Sequence, residues 1–249
     1  MENAPTIRLI ATRTQPEYAE RLHNWMTEVY YPLMITVPGY QRFDHYQILK
    51  VNPQYERTLG INYHANRSEM LKVRSDPKAI DVLRDINTTW ASRSEIVWFA
   101  AYQLIRNFSG EETGSKESAV LSVEKAPIMH LEGYALSHND EEKYETWFKK
   151  WGYELYVPWL MKLPGLKEYS LYRLINVELT GLPDYYKTKR AVEYPLHLSI
   201  LHFENVSAYE RYEKSIELAG FREALKVPFP MGLDFKWYVQ YQLEKSWRK

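Results

Sequence analysis

The sequence predicts an α+β fold built from two tandem copies of one β-α-β-β-α-β unit, packed sheet to sheet. The chain matches itself along its length, its two halves give the same order of elements, and a polar segment lies between them. With Pro38-Gly39 placed over Pro164-Gly165, an offset of 126, Tyr18 falls on Tyr144, Trp25 on Trp151, Glu28 on Glu154, Tyr30 on Tyr156, Pro32 on Pro158 and Tyr46 on Tyr172. At an offset of 139, Ile61 meets Ile200, Asn66 meets Asn205, Ser68 meets Ser207, Trp98 meets Trp237, and Tyr102-Gln103-Leu104 meets Tyr241-Gln242-Leu243. Tryptophan, proline and glycine are rare enough that chance explains such matches poorly. The 13 extra residues of the second half fall near 178–190, where Gly181, Pro183 and several charges read as an inserted surface loop.

Each element follows from its own pattern. Residues 6–12 alternate as a strand. Residues 16–35 place Tyr18, Leu22, Trp25, Val29 and Leu33 at three- and four-residue spacing, as one helix face requires, and Pro38-Gly39 ends that helix. Residues 40–50 and 58–65 are aromatic and β-rich, 68–90 are helical with a break before Pro77, and 95–106 form a last strand. In the second half the strand 127–136 leads to helix 139–161, strands 166–176 and 193–203, helix 207–225 and strand 233–244. The expected division is a first repeat over 1–106, a small, polar and charged linker over 107–125, and a second repeat over 126–249. This order is the ferredoxin-like one. Its sheet carries helices on one face only, so the bare face needs a cover, and the sibling sheet is the simplest one.

Composition bounds the function. Basic and acidic side chains balance at 32 each, which removes the electrostatic argument for a nucleic-acid partner. No stretch approaches the twenty or so apolar residues that span a bilayer, and the N-terminus lacks a signal-peptide pattern, so a cytoplasmic protein is expected. Without cysteine there is no disulfide, thiolate site or cysteine nucleophile. The 21 tyrosines, 8 tryptophans and 8 phenylalanines fit either a tyrosine-rich core or an aromatic-lined pocket.

The segments Trp25 to Tyr40 and Trp151 to Leu166, each with a tryptophan, then Pro32 or Pro158, then Pro-Gly and an aromatic strand, resemble the EthD-like pattern. The whole arrangement resembles the dimeric α/β-barrel superfamily in its tandem, fused form, so a pseudo-dimeric α/β barrel is implied. The family's histidine, two residues before the proline, is Tyr30 in one half and Tyr156 in the other. With an ordinary pKa near 10, a phenol there donates a proton more readily than it accepts one. The superfamily includes cofactor-free oxygenases of aromatic polyketides, cyclases and dehydratases, lactone isomerases, haem enzymes and proteins without assigned activity. Several hold their pocket between the sheet and its own helices. Fold does not choose among these chemistries.

The seven histidines, His23, His45, His64, His130, His138, His197 and His202, make no H-E-x-x-H, and His197 and His202 point to opposite faces of one strand, so no metal is expected. Haem stays open, since one axial histidine suffices. No nucleophile elbow or phosphate-cradling loop is present, which argues against nucleotide cofactors. Acid–base chemistry remains. His130 and Glu132 share one face of a strand and suit a dyad, or else a surface pair. Arg42, Asp44 and Tyr46 alternate likewise, as an ion pair or as binders of a carboxylate or enolate. Tyr30 and Tyr156 are candidate acids or core tyrosines. His23, two helical turns before Tyr30, could share its pocket or lie in solvent. The candidate catalytic residues are therefore Tyr30, His23, His130 and Tyr156, and the candidate substrate-binding residues are Arg42, Tyr46, Trp98, Glu132 and His202. Trp98 and Trp237 also suit plain packing, and His64 and His202 sit one residue out of register. Lys149 and Trp159 replace His23 and Leu33 in the second half, so the first pocket is the preferred active one. The expected function is a cofactor-independent lyase, dehydratase, cyclase or isomerase acting on a small apolar or aromatic substrate. The alternatives are a cofactor-free monooxygenase and a non-catalytic binder. Either a monomer with an internal pseudo-twofold or a homodimer of it is expected.

Overall fold

The computed structural model describes residues 3–50, 56–109, 127–136, 152–154, 156–163, 165–175, 194–215, 218–219 and 233–249. The expected inserted loop, most of the linker, most of helix 139–161 with Lys149, and the end of helix 207–225 lie outside them. In chain order the elements are β1 (Thr6–Thr14), α1 (Pro16–Trp25), a π-helical turn (Met26–Tyr30), α2 (Tyr31–Met34), β2 (Arg42–Ile48), β3 (Thr58–His64), α3 (Arg67–Lys72), α4 (Pro77–Thr89) and β4 (Ser94–Ser109). They continue as β5 (Ile128–Leu136), α5 (Val157–Leu160), β6 (Leu166–Ile175), β7 (His197–Phe203), α6 (Val206–Glu213) and β8 (Leu233–Arg248). Every strand predicted from sequence is present. The strands bond in the order β1-β3-β2-β8-β5-β7-β6-β4, closed as a barrel.

The chain divides into two compact units, one of Met1–Leu104, Leu174–Tyr194 and Tyr241–Lys249, the other of Ile105–Arg173 and Pro195–Gln240. In the first, β1 lies between β3 and β4, and β2 lies between β3 and the end of β8, all antiparallel. Side chains alternate across each strand. Arg8, Ile10 and Thr12 of β1 thus share a face with Asn62 and Gly60 of β3 and with Phe43 and His45 of β2. That face is covered by α1, the π turn, α2 and α4, and Tyr30, Tyr31, Met34 and Ile86 from them are buried in one cluster with Phe43. Arg42, Asp44 and Tyr46 point the other way. In the second unit β7 lies between β5 and β6.

The long helix expected over 16–35 is interrupted. Pro32 has no N–H for the Glu28 carbonyl, and Thr27 Oγ1 donates back to the carbonyls of His23 (3.0 Å) and Asn24 (3.2 Å), which loosens the regular ladder just where the π turn forms. Residues 152–154 and 156 are π-helical too, at the matching place before Pro158. The repeat extends to finer detail. Asn66 Oδ1 caps α3 by accepting from Glu69 N at 2.9 Å, and Asn205 Oδ1 caps α6 by accepting from Ala208 N at 2.8 Å. These two N-x-S/T triplets are therefore helix caps.

Gly39 and Gly165 hold φ of 97° and 87°. A Cβ on Gly39 would strike the Glu69 carbonyl, and one on Gly165 would strike Ala208, the repeat equivalent of Glu69. Each glycine thus permits a left-handed turn and close approach to the same helix position. Replacing either by alanine is expected to lower stability by roughly 2–4 kcal/mol, from the left-handed backbone plus the overpacking. Urea denaturation of Gly39→Ala and Gly165→Ala checks this, and an unchanged midpoint for either would refute it.

Candidate functional site

A cavity of about 30 Å³ lies between the helices and the sheet of the first unit, room for about two waters. Leu22 and Trp25 of α1, Met26 and Tyr30 of the π turn, Tyr31 of α2 and Ile86 of α4 form its helical walls, and Ile10, Thr12, Gly60, Asn62 and Ile96 its floor. Gly60 makes room for a phenol, since a Cβ there would stand 3.0 Å from the Tyr31 hydroxyl. The lining is mainly apolar, with polar groups on Thr12, Tyr30, Tyr31 and Asn62. Asn62 is 1% exposed, and its Nδ2 has no hydrogen-bond partner among the described residues. An unpaired buried donor is costly and rare, and needs a reason.

Beside this cavity three side chains from distant parts of the sequence meet. His23 Nε2 on α1 is 3.1 Å from Glu244 Oε1, and His45 Nδ1 on β2 is 3.0 Å from Glu244 Oε2. The two imidazole rings are 5.4 Å apart, and Gln47 Nε2 donates to Glu244 Oε2 at 3.1 Å. Glu244 reaches this face because β8 bulges. Against β2, Lys245 pairs with His45 and Leu243 with Tyr46, which leaves Glu244 as the extra residue, re-aimed by the bulge. Tyr31 links cluster and cavity, its ring 5.7 Å from His45 and stacked 4.5 Å from Trp247. Burial, and then the Glu244 carboxylate, raises the Tyr31 phenol well above its usual value, so it stays protonated. Burial pushes His45 down to about 4, with the nearby His23 adding to the effect and Glu244 opposing it, so His45 is neutral at neutral pH.

The residues singled out from sequence fall into separate places. His23 stands in the cluster and Tyr30 in the cavity wall, its ring 5.7 Å from Trp25 and 5.2 Å from Tyr31. Tyr31, not Tyr30, is the phenol that borders a histidine of the cluster. Arg42 and Tyr46 lie on the opposite sheet face. There Arg42 Nη2 is 2.7 Å from Asp44 Oδ2, the Tyr46 hydroxyl donates to the same oxygen at 3.2 Å, and the guanidinium covers the Tyr63 ring at 3.9 Å. Trp98 is buried opposite Ala11, on the face away from the cavity.

In the second unit His130 and Glu132 do form a dyad, Nε2 to Oε1 2.9 Å. Gln240 Nε2 lies 2.9 Å from His130 Nδ1, so with the amide donating there, Nε2 carries the proton toward Glu132. His130 is fully buried, edge-on to Tyr238 at 4.4 Å. His202 is buried opposite Met129 and Glu168 and points away from the face of Leu201, whereas His64 occupies the helix-covered face of its unit. Tyr156 is half-buried and stacked with Trp159 at 6.4 Å.

No protein-family model and no curated protein matches the chain. Solved structures do. The crystal structure of an anthrone oxidase-like protein has a TM-score of 0.63 at 11% identity, covering 99% of this chain and 93% of that one. A protein of Fusobacterium nucleatum subsp. nucleatum named as a candidate monooxygenase has 0.60 at 8%, covering 100% and 96%. A variant of chlorite dismutase from Candidatus Nitrospira defluvii has 0.56 at 9%, covering 98% and 93%. The fold is the dimeric α/β barrel, in fused form. The cluster draws on both repeats, His23 and His45 from the first and Glu244 from the second, within the first compact unit. The repeat equivalent of His45 is Leu171 in the second half, and that of Glu244 is Ile105 in the first. Sequence reasoning missed Tyr31, His45, Asn62 and Glu244. Strand alternation against Arg42, Asp44 and Tyr46 could have turned His45 toward the helices. Nothing in the sequence announces a bulge at Glu244. Among the described residues no helix is long and apolar enough to cross a membrane.

Proposed function

We propose that the chain is a cofactor-independent enzyme that acts on a small apolar or aromatic substrate in the first-unit cavity. Its chemistry is proton transfer in a dehydration, decarboxylation, cyclisation or isomerisation. The bare Nδ2 of Asn62, in the lining of the same cavity as Tyr31, carries this reading. Two donors in the lining of a mainly apolar cavity suit an oxygen that gains negative charge, as when a carbonyl becomes an enolate. Tyr31 keeps its proton and can donate it, and the neutral His45 offers a lone pair behind it. The π turn forms part of the wall, and such turns recur at functional sites. A substrate larger than about two waters would need the lining side chains to move apart. The EthD-like likeness, a cytoplasmic location and the two-repeat division with its linker belong to this proposal, as does a monomer or a homodimer.

A second reading uses the same donors. A phenolate or carbanion stabilised by Asn62 and Tyr31 is electron-rich enough to react with oxygen, which would make the chain a monooxygenase of aromatics. The fold shared with the anthrone oxidase-like protein makes anthrone a sensible first probe. Uptake of oxygen with product formed only under air selects this reading, and turnover of a cyclisable polyketide-like ketone without oxygen selects the first. Saturable binding with no product would make the chain a binder and refute both.

For the active substrate, Tyr31→Phe and Asn62→Leu are each expected to lower kcat about 10²–10³-fold, the usual cost of one oxyanion donor. Asn62→Leu has a second readout that needs no substrate. Removing an unpaired buried amide should raise stability by roughly 1–2 kcal/mol by urea denaturation. Full turnover in both variants, or a destabilised Asn62→Leu protein, would remove the assignment.

A further inference from the structure

We propose that His23, His45 and Glu244 form a binding site for one divalent transition-metal ion. Each offers one ligand atom, and these atoms all lie within 4.8 Å of one another. The two imidazoles meet different oxygens of the Glu244 carboxylate, at 3.1 Å and 3.0 Å, and either distance is near the roughly 3.3 Å expected between donors about 2.0 Å from a tetrahedral ion. The donor set is two imidazoles and one carboxylate. It suits zinc, iron, nickel or copper rather than calcium or magnesium, and it leaves coordination positions open.

Three features make this more than a chance meeting of polar side chains. The ligands come from α1, β2 and β8, so they converge only in the folded chain. His45 is 5% exposed and fixed in a central strand, which gives the site one rigid anchor. Glu244 is the extra residue of a bulge, a distortion that a regular strand would not need unless its side chain is wanted on this face. Gln47, donating to the carboxylate, supplies the kind of second contact that orients a ligand. The open positions would lie toward Tyr31, whose ring borders His45. The expectation from sequence, that no metal binds, considered histidines close together on one strand. This set spans residues 23 to 244 and has no sequence spacing to notice.

The site does not rest on the proton-transfer reading. Metal and proton compete for the same lone pairs, so the metal-free chain is the acid–base form and metal loading should silence it.

Titration of the metal-stripped full chain with Co(II) tests the site by visible absorption, with Zn(II) binding followed by calorimetry. A single equivalent should bind with the bands of a four- or five-coordinate cobalt site. His23→Ala and Glu244→Gln, both at partly exposed side chains, should weaken binding at least about 100-fold. Circular dichroism confirms that both are folded, and His45→Gln serves as a third variant. Absence of saturable Co(II) binding in the unmodified chain, or binding unchanged in both His23→Ala and Glu244→Gln, would overturn the proposal. Because the readout needs no substrate, its failure would leave the acid–base reading standing.

Discussion

Lowering the pH from 7 to 5 is expected to remove stability on the order of 5 kcal/mol, much of what a domain has. Burial pushes three histidines well below the usual value of about 6.5. His64 falls to about 3, with the charge of Arg8 adding to burial and its bond to the Gly39 carbonyl opposing it. His45 falls to about 4. His197 falls to about 4, where Arg173 adds to burial. The unfolded chain takes up protons at these positions near pH 6.5, and the native chain only near pH 3 to 4. Unfolding therefore binds protons throughout that window. Stability is full above about pH 6.5 and falls as pH drops, by up to about 1.4 kcal/mol per pH unit for each histidine. Urea midpoints at pH 7.5, 6 and 5 measure this, and a flat profile would show that the three rings are not buried as described. His64→Gln should flatten the slope by one histidine's share.

Asp44→Ala is expected to destabilise the first unit by roughly 3–5 kcal/mol, the cost of stranding a buried charge. The side chains of Arg42 and Asp44 are 8% and 3% exposed, and the carboxylate also accepts from Tyr46 at 3.2 Å and Ser246 at 2.7 Å. Removing it takes away the carboxylate 2.7 Å from a guanidinium that also covers the Tyr63 ring. The paired replacement Arg42→Met with Asp44→Leu should recover most of the loss, since burying no charge is as good as burying a matched pair. If the double variant is as unstable as Asp44→Ala alone, the shape of the two side chains matters more than their charge.

The architecture was legible because its signals are local or repeated. Pro38-Gly39 ended the first helix, the matches between the halves repeated the element order, and β-rich, aromatic runs marked the strands. The expected same-face pairs, His130 with Glu132 and Arg42 with Asp44, are in contact because a strand's period of two is nearly rigid. The candidate site was half legible. His23 and Tyr30 came from helical spacing, but spacing assumed a regular helix, and the π turn places Tyr31 rather than Tyr30 beside a histidine of the cluster. Glu244 could not be read at all. A bulge changes which face a residue occupies, and it depends on the partner strand rather than on the residue's own neighbours.

The widened turn has a bearing on history. It precedes the proline in both copies, at Met26–Tyr30 and again at residues 152–154 and 156, while His23, His45 and Glu244 have Lys149, Leu171 and Ile105 as their repeat equivalents. A trait held by both duplicates is most simply inherited from the single-copy ancestor. The opening in the helix thus follows the repeat, whereas the titratable set beside it does not.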